Sequence, residues 1–142
     1  MPNHCHNRVT VYSANTHDVA KIKQMFEDEN CFTQIIPEPD WPNTPNKAGE
    51  LPVKHEDPWL TYKFSDGKVD DRWYDWRVQN WDTKWDCYDV VVTDDDPESV
   101  EIEFNTAWSP PEAICHALRE QYPDVSISWF YDEPGCEIAG YL

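Results

Sequence analysis

The chain has 142 residues, with 28 acidic and 11 basic side chains and a formal net charge of -17. This length corresponds to one ordinary domain, and a hydrophobic fraction of 39%, which includes 8 Trp, supplies enough apolar surface for a core. The charge argues against direct binding of nucleic acid or of an anionic membrane, because both are polyanions. It favours a partner protein with a basic surface.

The N-terminal segment and the cysteines suggest an intracellular protein without a cofactor. No apolar run approaches the roughly 18 residues that a membrane span needs, and residues 1–4 lack the basic and apolar regions of a secretory signal. The five cysteines are scattered and form no Cys-x-x-Cys pair, so neither a disulfide scaffold nor a zinc ribbon is predicted. We therefore expect a cytoplasmic location and no membrane contact.

The first quarter of the chain predicts a strand, a helix and a second strand. Residues 6–13 alternate with a period of two, which is typical of a half-buried strand. Apolar residues three and four positions apart predict a helix over residues 17–29, with Thr16 as its cap. The short apolar run of residues 32–36 precedes a proline and predicts a brief second strand.

A long proline-rich inserted loop is predicted over residues 37–70, because this segment has six prolines and no sustained period. It also contains large apolar groups, among them Trp41 and Trp59, so we expect it to pack on the domain or to contact a partner. A short aromatic helix is predicted to follow over residues 71–80.

The C-terminal half predicts a hairpin, a helix and two further strands. Strands over residues 90–93 and 100–104 are joined by a predicted acidic turn, residues 94–98. Ser109, two prolines and Glu112 then form the pattern of a helix capping box, and strands follow over residues 125–131 and 137–142. This order predicts a single α+β domain over residues 1–142, a ferredoxin-like antiparallel sheet with helices packed on one face.

Four stretches carry a family resemblance: residues 1–11 (MPNHCHNRVTV), 76–86 (WRVQNWDTKWD), 104–111 (FNTAWSPP) and 133–135 (EPG). In these stretches the chain resembles the YubB-type ferredoxin-like proteins of bacteriophages and plasmids, a family without an established activity. The resemblance implies a sheet-plus-helices fold and an origin on a phage or other mobile element. It implies no catalytic residues.

Metal binding and catalysis are weaker interpretations of the sequence. His4, Cys5 and His6 include zinc-ligand types, but on a strand Cys5 points away from the two histidines. The acids of residues 94–98 are of the type that binds calcium, but they lack the spacing and the glycine of an EF-hand. Since Glu101 and Glu103 alternate with apolar residues as the outer face of a strand, we expect no enzyme activity.

The position of the charge is the most informative functional signal. Residues 86–142 contain 14 acids and a single base, a net charge of -13, whereas residues 1–85 carry only -4. We therefore predict a phage- or plasmid-encoded inhibitor that covers the basic nucleic-acid-binding surface of a host defence protein, such as a CRISPR effector or a restriction enzyme, by mimicking nucleic acid. The predicted contact residues are Asp94, Asp95, Asp96, Glu98, Glu101 and Glu103, with Trp41 or Trp59 as an aromatic anchor.

Several alternatives stay open at this level. The acidity is equally consistent with a simple role in solubility. A metal- or calcium-dependent protein-binding module and a small-molecule enzyme are the other function classes. Homodimerisation through an exposed sheet edge is compatible with each of them.

Overall fold

The computed structural model describes residues 3–142, so Met1 and Pro2, which begin the first stretch of resemblance, lie outside the described residues. The strands are β1 (His4–Tyr12), β2 (Val53–Lys54), β3 (Tyr62–Lys63), β4 (Tyr88–Asp96), β5 (Ser99–Ala107), β6 (Ser126–Glu133) and β7 (Ile138–Tyr141). The helices are α1 (Thr16–Glu27), α2 (Cys31–Ile35), α3 (Arg72–Trp81) and α4 (Glu112–Gln121). Five strands form the main sheet in the order β4-β5-β1-β6-β7, and β2 pairs with β3 separately.

The main sheet has the topology of a ferredoxin-like fold. Elements β1, α1, β4, β5, α4 and β6 form the β-α-β-β-α-β unit of that fold, with α2, β2, β3 and α3 inserted between α1 and β4. Strand β1 lies between β5 and β6 and pairs antiparallel with both. Strand β7 extends the sheet beside β6, so β4 and β7 form its two edges. The predicted α+β ferredoxin-like sheet is confirmed.

One face of the sheet and the helices that cover it form the core. Alternate residues of β1, from Cys5 to Val11, are buried, while the residues between them point to the opposite face. Phe26 of α1 packs against Phe104 and Trp129, with ring centroids 5.2 and 6.2 Å away. The Trp129 indole also donates to Asn7 Oδ1 at 3.0 Å, which satisfies a polar side chain inside the core.

Two predictions near the N-terminus are wrong. Residues 31–35 form helix α2 instead of a strand, and the amide of Phe32 in its first turn donates to the Asp86 carboxylate at 3.1 Å. Periodicity does not distinguish helix from strand in so short an apolar run. The hydrogen bond to Asp86 was not predictable either, because the two residues are far apart in sequence. Helix α1 is capped by Asn15, which accepts from the Asp18 amide at 3.3 Å, whereas Thr16 is its first residue.

The predicted Ser109 cap is also wrong. Pro111 occupies the N-cap position of α4, and Asp82 Oδ2 supplies the missing acceptor by receiving the Ala113 amide at 2.9 Å. Ser109 Oγ instead donates to the backbone carbonyl of Asp82. Because Asp82 ends α3 in the left-handed conformation, with φ of 63°, its side chain reaches the start of the next helix.

The predicted loop of residues 37–70 contains short regular structure. It holds a 3-10 turn at Trp41–Asn43 and the β2–β3 pair, in which Val53 lies opposite Lys63. Glu50 accepts hydrogen bonds from the backbone and the hydroxyl of Ser65, and so closes the segment on itself. These contacts give order to a sequence that has no apolar period.

Arg72, the first residue of α3, is the main anchor of this segment. Its guanidinium donates to three backbone carbonyls within residues 41–45 and to both oxygens of Asp70. It lies between the rings of Trp41 and Phe64, 4.9 and 5.2 Å from their centroids. The Asp70 side chain is only 4% exposed, and its hydrogen bond to Arg72 lowers the pKa of this carboxyl.

Candidate functional site

The acidic residues predicted to bind a partner lie on the β4–β5 hairpin, at one edge of the main sheet. Asp96 at the end of β4 pairs with Ser99 at the start of β5, so the turn consists of Pro97 and Glu98 alone. It is shorter than the predicted turn of residues 94–98, because the three aspartates continue the strand. The acids are therefore held on paired backbone rather than on a loop.

All four carboxylates of the hairpin tip are exposed, and one of them, that of Asp95, is paired with a lysine. Asp94, Asp96 and Glu98 face solvent. Asp95 accepts a hydrogen bond from Lys23 Nζ at 2.7 Å, and this bond raises the pKa of the lysine. Asp95 therefore ties the hairpin to α1, while Asp96 Oδ1 accepts the Glu98 amide at 3.1 Å within the turn.

A cleft of about 330 Å³ separates α1 from the hairpin tip. Val19 and Val100 line it with apolar surface, while Lys23 and Asp95 add charge and Pro97 contributes the turn. Its size is at the lower end of the range of roughly 300–1,000 Å³ that is typical of small-molecule sites. Val19 and Val100, which line it, are each only 1% exposed.

Glu101 and Glu103 of β5 lie on the face of the sheet opposite the helices, as the alternation of the strand predicts. Both are partly buried rather than fully exposed. Glu101 Oε1 accepts from the Thr93 hydroxyl at 2.9 Å, and Glu103 Oε1 lies 3.2 Å from Nε2 of His6. These two carboxylates are thus oriented by neighbours on β4 and β1.

The two tryptophans proposed as anchors differ in accessibility. Trp59 is 87% exposed, on a turn whose amides donate to the Asp57 carboxylate. The Thr61 hydroxyl also donates to Asp57, and the hydrogen bonds from Thr61 lower the pKa of this carboxyl. Trp41 is partly buried and stacks on Arg72. Trp59 is therefore the more accessible of the two.

An aromatic row on the solvent-facing side of the sheet was not anticipated from the sequence. The Arg8 guanidinium lies 5.1 Å from the Phe130 ring centroid, and Phe130 contacts Tyr141 at 5.3 Å. These residues belong to β1, β6 and β7, so only the strand order brings them together. Without that order, nothing in the sequence links them.

Exposed aromatic surface also occurs at the corner between α3 and α4. Tyr74, Val78 and Trp108 line a cleft of about 190 Å³ there, and Trp108 has a φ of 70°. The Lys84 ammonium lies nearby over the ring of Trp85, 4.5 Å from its centroid. In the sequence, this corner is distinguished only because two of the stretches that carry the family resemblance, residues 76–86 and 104–111, contribute to it.

The metal-site alternative gains no support from the side-chain placement. His4 and His6 point away from the core and Cys5 into it, as strand alternation predicts. Residues 3–142 contain no group of three or more His, Cys, Asp or Glu side chains placed to hold a metal ion. Among the helices of the same residues, none is long and apolar enough to cross a membrane.

Comparisons with known proteins match these features of the fold. Residues 80–142 match the family described as the ferredoxin-like domain in Api92-like protein. YubB of Escherichia coli strain K12, described as uncharacterized, is 25% identical over 69 residues, which is 48% of each protein, so the match spans about half the length of this curated relative. The crystal structure of api92 from Yersinia pseudotuberculosis has a similar fold, with a TM-score of 0.61 and 10% identity over 99% of this chain and 93% of that chain. These findings confirm the resemblance of the chain to the YubB/Api92-type ferredoxin-like family.

Proposed function

We propose that this protein binds the basic nucleic-acid-binding surface of another protein through its β4–β5 hairpin and thereby excludes nucleic acid from that surface. The observation that carries the proposal is the projection of the exposed carboxylates of Asp94, Asp96 and Glu98 from one edge of the sheet. They belong to a region, residues 86–142, in which Arg119 is the only base. Opposite charge accelerates the encounter with a basic partner and sets its orientation.

The spacing of the carboxylates supports mimicry of a phosphate backbone. On a regular strand, residues two positions apart are separated by about 6.8 Å. The hairpin has two such pairs, Asp94 with Asp96 and Glu101 with Glu103. The hairpin thus offers a row of negative charges on a backbone that is already ordered. Preorganised charge loses less entropy on binding than a flexible acidic tail does.

The class of partner follows from the origin that the family resemblance implies. A protein of a phage or plasmid acts in the cytoplasm of its bacterial host, where defence enzymes recognise foreign nucleic acid through basic surfaces. We therefore propose a CRISPR effector or a restriction enzyme as the target class. In this role the protein is an inhibitor and not an enzyme.

The test is affinity capture with two matched variants. Asp94→Asn, Asp96→Asn and Glu98→Gln together remove three charges from the hairpin and keep side-chain shape. Glu29→Gln, Glu56→Gln and Glu120→Gln remove the same charge from exposed sites elsewhere. We expect the wild type and the second variant to retain one bacterial nucleic-acid-binding protein that the hairpin variant loses.

The outcome also separates the proposal from a role of the acidity in solubility. If solubility is the only role, both triple variants lower solubility equally and neither changes what is captured. Capture that depends equally on the two sets of acids would contradict a hairpin-specific site. Added duplex DNA or RNA should elute the captured protein, because nucleic acid and hairpin compete for one surface.

A further inference from the structure

The two edges of the main sheet differ in chemistry. At one edge, β4 carries a run of three aspartates and two shifts of register, between Tyr88 and Val91 and between Val92 and Asp94. Charge and bulges are the usual means by which edge strands avoid pairing with other chains. At the other edge, β7 has the sequence Ile-Ala-Gly-Tyr, with no charge, no proline and an unbroken register against β6.

The outer side of β7 presents a defined set of hydrogen-bonding groups. The Leu142 amide donates inward to the Trp129 carbonyl at 2.9 Å. Because successive residues of a strand direct their N–H and C=O groups to opposite sides, Gly140 also faces β6, and Ala139 and Tyr141 face outward. Within residues 3–142 no strand pairs with this outer side. Among the described residues, the edge therefore has two donors and two acceptors without a partner strand.

We propose that β7 pairs antiparallel with β7 of a second copy of this chain, so that two five-stranded sheets join into one of ten strands. This interface goes beyond the partner binding proposed above and does not depend on it. A twofold axis at Gly140 places Ala139 opposite Tyr141 of the second copy, and Tyr141 opposite Ala139 of the second copy. All four free groups of each strand then form hydrogen bonds, four in total across the interface.

The side chains are self-complementary in this register. Ile138, which is 49% exposed, comes to lie opposite Leu142 of the second copy. On the other face, Tyr141, which is 69% exposed, becomes the diagonal neighbour of its own counterpart. The row formed by Arg8, Phe130 and Tyr141 is thereby continued across the axis. Gly140 lies at the closest backbone approach and contributes no side chain there.

Charge selects this edge over the other one. Each chain carries a net charge of -17, so two copies repel unless their acidic surfaces stay apart. Pairing through β7 places the two β4 strands at opposite ends of the ten-stranded sheet, about 43 Å apart at 4.8 Å per strand. This separation is several times the Debye length of about 8 Å at physiological salt. The dimer therefore presents two acidic hairpins facing away from each other.

A symmetric cysteine tests the register directly. In this register Gly140 lies on the twofold axis and meets its own copy as a non-hydrogen-bonded pair, with Cα atoms about 4.5 Å apart, which suits a disulfide. A Cβ at Gly140 makes ordinary contact with Tyr131, so we expect the fold to accept Gly140→Cys. The variant is made in a Cys136→Ser background, which removes the exposed thiol. Glutathione disulfide should then oxidise Gly140→Cys to a covalent dimer of two 16.7-kDa chains. His17→Cys, at a side chain 84% exposed, is the control.

Sedimentation of the unmodified chain provides the second measurement. A small interface of this kind associates weakly, so the mass is followed from about 10 to about 500 µM protein. Ala139→Pro removes an outward amide without removing a bond to β6, and Tyr141→Glu adds a charge one residue from the axis. Each should raise the dimer dissociation constant at least tenfold. Tyr12→Glu, on the same face but on the inner strand β1, should leave it unchanged.

Salt distinguishes this interface from the proposed partner site. Added salt should not weaken the dimer, because its two acidic hairpins already lie several Debye lengths apart, whereas it should weaken binding of a basic partner. A chain that stays monomeric up to about 500 µM, or a Gly140→Cys variant that cross-links no faster than His17→Cys, would refute the β7 dimer. Either result would leave the hairpin proposal untouched, since that proposal is tested by capture.

Discussion

Replacement of Arg72 by Ala tests how residues 41–70 are held on the fold. The substitution removes the cation that faces Asp70, and it also removes the donors to the carbonyls of residues 41–45. Breaking a buried ion pair from one side costs about 3–5 kcal/mol. Because the Arg72 side chain is 24% exposed, solvent screening reduces the expected loss of unfolding free energy to about 2–3 kcal/mol.

The loss should depend on pH with a definite sign. In the folded wild type, Arg72 lowers the pKa of Asp70, so the pair contributes stability above the unfolded pKa of about 3.9. This contribution is lost as the pH falls through the lower, folded-state pKa. In Arg72→Ala the buried carboxyl has no cation and its pKa rises, so acid relieves the defect. The difference between wild type and variant is therefore largest near neutral pH and shrinks below about pH 4.

Urea unfolding at several pH values, together with hydrogen exchange, measures both effects. We expect exchange to accelerate mainly within residues 41–70, while the amides of β1 and β5 stay protected. Arg72→Lys keeps the charge but loses the paired donors and the stacking, and should recover only part of the stability. This reasoning would be refuted if Arg72→Ala unfolded at the same urea concentration as the wild type at neutral pH. It would also be refuted if the loss of unfolding free energy were the same at every pH.

Two further predictions concern the cap of α4 and the reactivity of the cysteines. Asp82→Ala removes the acceptor of the Ala113 amide and places an alanine at φ 63°, so urea unfolding should show a loss of about 1–3 kcal/mol. Asp82→Gly should lose less, because glycine adopts this φ freely; an equal loss would exclude the strain component. Iodoacetamide at pH 8 should modify exposed Cys136 before Cys5 or Cys115. Burial shields those two thiols and raises the pKa of each to about 11. The hydrogen bond to Glu133 also raises the pKa of the Cys136 thiol, so its exposure decides the order. Peptide mapping after partial labelling checks the order, and early labelling of Cys5 would contradict it.

The fold was predictable because its determinants are local and periodic. The alternation in β1 identified the inner face, and apolar spacing located α1 to within two residues. The pattern from Ser109 to Glu112 located the start of α4, although Ser109 is not its cap. The structure of short segments was harder to predict from the sequence. Helix α2 has only five residues, too few for the spacing of its apolar residues to favour helix over strand. Its helical form accompanies a hydrogen bond to Asp86, which lies 54 residues away.

The candidate site was predictable in composition but not in arrangement. The run of acids identified the hairpin, yet Lys23 is distant in sequence from Asp95, and only the folded chain shows that they pair. The same holds for the cap that Asp82 provides to α4, which replaces the local capping box at Ser109. The unprotected β7 edge also emerges only from the strand order, since the sequence gives no pairing partners for its four residues.

The most direct test of the proposed function asks whether the captured partner can hold nucleic acid and this protein together. Fluorescence anisotropy of a labelled duplex bound to the partner is followed while wild-type protein is added at low salt. The proposal predicts complete release of the duplex, a release that weakens as salt rises, and little release by the variant that lacks the charges of Asp94, Asp96 and Glu98. A stable ternary complex in which the duplex stays bound while this protein is also bound would contradict it.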